Sequence, residues 1–112
     1  MTSKPLTPDT LRVVAQRLKV LAEPARLEVL NVLREGPLNV SELIAETGLN
    51  QANLSKHLQL LHANGFVTRR RDGLFVIYQL GDASVFQLCD LMCGQVKRHA
   101  ASQAKHLAAA GR

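Results

Sequence analysis

Residues 39–80 read NVSELIAETGLNQANLSKHLQLLHANGFVTRRRDGLFVIYQL, and the punctuation of this stretch decides the fold. Asn39 is placed to cap a helix by accepting a hydrogen bond from an orphan backbone N–H, and Glu42 three residues on completes a capping box. Gly48 ends that helix. Asn50 caps a second one, in which Leu54, Leu58 and Leu61 recur at i, i+4 and i+7, the spacing of one buried stripe. Gly65 closes it as a C′ glycine. The apolar period then drops from about 3.6 to 2. Val67–Arg71 and Leu74–Tyr78 flank Asp72-Gly73, a strong short-range hairpin signal. Two short helices joined by a tight turn and followed by a basic hairpin make a winged helix-turn-helix, a mainly α fold with a two-stranded β-wing.

The flanking sequence supports this stretch. Residues 1–7 are polar and form an arm until Thr7 caps a helix with Pro8 at its first position. That helix, over about 8–22, carries Leu11, Val14, Ala15, Leu18 and Leu21 on one face, apolar enough to require cover. Glu23-Pro24 breaks it, because the residue before proline is pushed out of the helical region. A core helix follows through Leu27, Leu30 and Leu33 to Gly36-Pro37, with Arg26, Glu28 and Arg34 on its wet side. Past the hairpin, a helix over about 83–106 aligns Val85, Leu88, Cys89, Met92, Cys93 and Val96, and the tail from Ala108 is expected to fray. Such a stripe needs a partner surface. The economical partner is a second copy of the chain, giving a homodimer through the first and last helices. A two-fold protein suits a pseudo-palindromic operator whose half-sites lie about one turn, ~34 Å, apart.

With 112 residues, 46% of them hydrophobic, the chain suits one winged-helix domain over 1–112, with the helix-turn-helix at about 39–65 and the wing at about 66–80. A formal charge of +5 favours an anionic partner. No signal-like h-region appears, and no apolar run approaches the roughly 20 residues that span a bilayer, so a cytoplasmic protein without membrane contact is expected. No Gly-rich phosphate loop, H-E-x-x-H or Ser/His/Asp grouping appears, which argues against an enzyme.

Two groups of residues carry chemistry. The exposed N-terminal half of the second helix of the stretch offers Gln51, Asn53, Ser55 and Lys56 with His57 beside them, side chains able to reach base edges or phosphates in a major groove of duplex DNA. Arg69, Arg70 and Arg71 place positive charge where a wing meets phosphates or a narrow minor groove. Alternation sends Arg70 to the opposite face, where it serves the fold or the dimer. The second group is Cys89 and Cys93, four apart on a helix with Cβ atoms about 5–6 Å apart. A disulfide wants about 3.8 Å, so this spacing favours chelation of one soft ion, or an intersubunit disulfide, over a local bond. Both also fall on the apolar stripe, where free cysteines pack as small hydrophobes. His62, His99 and His106 form no i, i+4 ligand pair and read as solvated or capping residues.

Leu21-Ala22-Glu23-Pro24-Ala25-Arg26-Leu27, Leu54-Ser55-Lys56-His57-Leu58 and Ala63-Asn64-Gly65-Phe66-Val67 together resemble the ArsR/SmtB family of winged-helix repressors, over about Leu18 to Val96. The resemblance implies a homodimeric cytosolic repressor whose operator binding is weakened by a ligand or by thiol chemistry, with Gln51, Asn53, Ser55 and His57 near DNA and the wing arginines beside its backbone. The family's familiar sensor sites are incomplete here. Val40–Gly48 lacks the cysteines of the arsenic site, and Asp82 matches the zinc pattern while Ser84, Gln95 and Arg98 do not. The persulfide-sensing pair has a cysteine on the second helix, where this chain has none. What remains is a repressor with no obligatory cofactor, released when Cys89 and Cys93 bind a soft metal or metalloid such as arsenite or cadmium. Thiol oxidation or reactive sulfur at the same pair is the alternative inducer chemistry. A ligand-independent DNA-binding module with structural cysteines, and an RNA-binding or interaction module, are the rivals.

Overall fold

The computed structural model describes residues 4–110, in two compact units that part between Asp82 and Ala83. The first runs α1 (Pro8–Leu21), α2 (Pro24–Val32), a 3-10 turn (Leu33–Glu35), β1 (Leu38–Asn39), α3 (Val40–Thr47), α4 (Gln51–Ala63), β2 (Val67–Asp72) and β3 (Phe75–Leu80). The second is α5 (Val85–Ala110). The winged helix-turn-helix expected from the sequence is present. Residues 1–3 of the expected arm and residues 111–112 of the expected frayed tail lie outside the described residues; up to Ala110 that tail is helical.

Local chemistry accounts for the helix ends. Thr7 Oγ1 accepts from the Thr10 N–H at 3.1 Å ahead of Pro8. The capping box at α3 is closed in both directions, with the Glu42 N–H on Asn39 Oδ1 at 2.8 Å and the Asn39 N–H on Glu42 Oε1 at 2.9 Å. Gly48 ends α3 at φ +74°, and Asn50 Oδ1 caps α4 by accepting from the Asn53 N–H at 2.8 Å. Between these caps the helices turn their stripes to one core. Val29, Leu30, Leu43, Leu54 and Leu61 are fully buried, and Leu33, Leu58 and Val67 nearly so. Each such side chain contributes about 1.5–3 kcal/mol by leaving water, so this core fixes the pose of α4.

The sheet differs from the expected two-stranded wing in two respects. It has three strands in the order β1-β3-β2, because Leu38 and Asn39 pair antiparallel with Tyr78 and Ile77. A two-residue strand has no periodicity to betray it in sequence. The hairpin loop is also Gly73-Leu74, not Asp72-Gly73, since Asp72 pairs with Phe75. Gly73, at φ +61°, takes the first loop position, which demands a positive φ in a type II′ turn, and spares Asp72 from adopting one. Leu74 is left almost wholly exposed. Arg70 keeps its alternation under the shifted register, pairing with Ile77 while Arg69 and Arg71 pair with Tyr78 and Val76.

At the base of the wing the Gly81 N–H donates to the Phe66 carbonyl at 2.9 Å. A Cβ on Gly81 would lie 2.3 Å from the Gly65 carbonyl oxygen. Backbone must move to admit it, so Gly81→Ala is expected to cost about 2 kcal/mol and to lower the melting temperature by about 10 °C in a thermal melt followed by circular dichroism. A melt unchanged from wild type would show that the wing base yields freely.

Two cations tie α1 to the rest of this unit. The Arg17 guanidinium lies over the Phe66 ring at 4.7 Å from its centroid. Arg26 does not point to solvent as its spacing on α2 suggests: it is half-buried, with Nε donating to the Val20 carbonyl. A long side chain can fold back over its helix to reach an unsatisfied carbonyl in the last turn of the helix before it. Most of the expected apolar face of α1 is uncovered, with Leu11, Val14 and Leu18 exposed and Leu21 buried.

Candidate nucleic-acid interface

The buried side of α4 is Leu54, Leu58 and Leu61, and the 3.6-residue repeat distributes its polar residues over the remainder. Gln51 and Ser55 form one row, Asn53 and His57 another, and Lys56 stands between them. Gln51, Asn53, Ser55 and Lys56 are exposed. His57 is half-buried, with Nδ1 3.3 Å from an Arg26 Nη. Arg26 is the functional candidate that amphipathic spacing missed, although the Pro-x-Arg start of α2 was visible.

All three wing arginines are exposed. Arg69 and Arg71 share a strand face with Val67, whereas Arg70 lies on the other face, 4.0 Å from Asp72. With the two side chains 58% and 71% exposed, that pair adds little stability, and the strand stays strongly cationic. The starts of α3 and α4 meet the wing tip at an open hollow of about 270 Å³, lined among others by Asn39, Ser41, Gln51, Leu74 and Phe75. A larger hollow of about 620 Å³ has the mixed-charge lining Arg34, Glu35 and Glu46 and holds none of the candidate residues. An exposed polar helix face beside a cationic hairpin can hydrogen-bond base edges while neutralising phosphates.

The thiols stand in the other unit. Cys89 is half-buried and Cys93 exposed, and both are free. Leu91, Met92 and Val96 of the same helix are also exposed. Among the described residues no group of three or more His, Cys, Asp or Glu side chains converges to hold a metal. Among the described residues no helix is long and apolar enough to cross a membrane.

The model of a family described as "Bacterial regulatory protein, arsR family" matches residues 23–69, from the cap of α2 into β2. The HTH-type transcriptional regulator NmtR of Mycobacterium tuberculosis is 40% identical over 88 residues, 79% of this chain and 73% of that protein. This chain belongs to the arsR family. It is accordingly a DNA-binding transcriptional regulator and not an enzyme. A "Probable mercury resistance operon repressor" of Streptomyces lividans is 36% identical over 72% of this arsR-family chain and 62% of its own length. The homodimeric winged helix-turn-helix DNA-binding domain Mb0332 of Mycobacterium bovis superposes with a TM-score of 0.70 at 30% identity, covering 89% of this chain and 94% of that one.

Proposed function

We propose that this arsR-family protein is a homodimeric repressor of the cytoplasm that binds a pseudo-palindromic operator and is released when Cys89 and Cys93 take up a soft metal or metalloid such as arsenite or cadmium. The observation that carries the operator-binding part is the exposed row structure of α4 beside three exposed wing arginines. In this reading Gln51, Asn53, Ser55, Lys56 and His57 meet the major groove and Arg69 and Arg71 the phosphates, with Arg70 at the margin. The uncovered apolar faces of α1 and α5 supply the dimer seam. Thiolates suit soft ions, and two copies of the pair at a two-fold axis make four. The mercury-resistance repressor among the relatives supports that ligand class. The exposure of Cys93 favours a second reading, oxidation or reactive sulfur at the same thiols. Either inducer must bind the two dimer states unequally, and a coupling of about 1–3 kcal/mol suffices.

The test is a salt titration of binding to an operator selected from a random duplex library, set against random duplex. A slope near −0.9 per phosphate contact and a gain of at least about a thousandfold for the selected site are expected. Gln51→Ala should change the selected sequence. Absence of any preference for duplex would sink the repressor reading.

A further inference from the structure

Arg26 spans three helices. From α2 its Nε donates to the Val20 carbonyl in the last turn of α1, and an Nη lies 3.3 Å from Nδ1 of His57 on α4. A guanidinium is all donors, five N–H groups with no lone pair to offer. Nδ1 is therefore the acceptor in this contact, and a neutral imidazole that accepts at Nδ1 carries its proton on Nε2. Nε2 lies on the side of the ring away from the guanidinium, and His57 is only half-buried.

We infer that Arg26 is a positioning residue of the DNA interface: it holds His57 as the Nε2–H tautomer, so that α4 presents one donor, and no acceptor, at that position. The inference rests on the operator-binding reading for its use, and on the Arg26 contact for its chemistry. The tautomer decides what His57 can read. A donor pairs with phosphate oxygens, purine N7, guanine O6 or thymine O4, whereas the other tautomer would present an acceptor and seek the amino groups of adenine or cytosine. The bond to Val20 gives the choice a second consequence. The ring is referenced to the end of α1, the helix assigned above to the dimer seam, so movement there reaches the donor through a single side chain.

Two-bond proton–nitrogen correlation spectra of the histidine rings in the full chain test this, with His57 identified as the signal missing from His57→Gln. The neutral wild-type ring is expected in the Nε2–H form. In Arg26→Gln, and in Arg26→Lys, which cannot serve both partners, the ring is expected to average between tautomers. Operator affinity in Arg26→Gln should fall about tenfold, and adding His57→Ala to it should cost little more. His57→Gln, whose amide NH₂ stands near the place of Nε2, should keep more affinity than His57→Asn. A wild-type Nδ1–H ring, or a ring unchanged in Arg26→Gln, overturns the inference, and the wild-type spectrum decides even if a variant folds poorly. So does a His57→Ala variant with wild-type affinity and base preference. Failure of the wild-type chain to prefer any duplex is a separate result: it overturns the operator-binding reading, while the ring spectra still judge Arg26.

Discussion

Replacing Arg69 and Arg71 together by alanine is expected to weaken binding to operator and random duplex alike, by roughly a hundredfold at moderate salt. Both side chains are exposed on one face of β2, so their removal alters charge and leaves the core intact. Each phosphate that a cation neutralises adds about 0.9 to the slope of log affinity against log salt. The double variant should therefore show a slope shallower by about two for each wing in the complex. Contacts to phosphate carry no base information, so the ratio of operator to random binding should survive. Arg70→Ala, on the opposite strand face beside Asp72, should have the smallest effect of the three. A loss confined to the operator would mean instead that the arginines read groove shape, and an unchanged salt slope would remove the wing from the DNA.

The other large effect concerns release. In the double variant Cys89→Ser, Cys93→Ser, operator binding without inducer should stay within about twofold of wild type, since neither thiol is among the residues assigned to DNA, and release by arsenite or cadmium should be lost. Serine preserves the shape of the site but offers a hard hydroxyl where a soft ion needs thiolate. The single variants separate the two inducer chemistries. Chelation by the pair on one α5 needs both thiols, so either substitution abolishes it. An intersubunit disulfide through the exposed Cys93 survives Cys89→Ser. A local disulfide is disfavoured in both cases, because i, i+4 positions hold Cβ atoms about 5–6 Å apart and a disulfide wants about 3.8 Å. Normal release of the double variant by every thiol-reactive inducer would refute the sensor assignment. Operator release read by fluorescence anisotropy makes the measurement.

What was legible in the sequence was what local chemistry determines. Asn39, Gly48 and Asn50 mark helix ends because each acts on the backbone within four residues of itself, and Leu54, Leu58 and Leu61 are buried because a stripe on a helix with polar flanks has one place to go. The exposed positions Gln51, Asn53, Ser55 and Lys56 follow from the same stripe. The misreadings share a different cause. β1 is too short to have a period, and its two residues become a strand only when β3 arrives from about forty positions later. Asp72-Gly73 and Gly73-Leu74 are both acceptable hairpin loops, and the register of the whole sheet chose between them. The position of its Cα on α2 points Arg26 to solvent, whereas its long side chain reaches the Val20 carbonyl and His57. Long-range pairing and side-chain reach are what a single sequence leaves open.

The third strand has a mechanical consequence. Asn39 is the last residue of β1 and also the N-cap of α3, so no linker separates the sheet from the helix-turn-helix. A hairpin transplanted from a relative would have to be matched to residues 38 and 39 as well as to β2 and β3, because a slip of one residue against Tyr78 and Ile77 would shift the start of α3 with it. The wing of this protein is thus not an interchangeable accessory, and swapping specificity between relatives requires moving the cap and the hairpin as one piece.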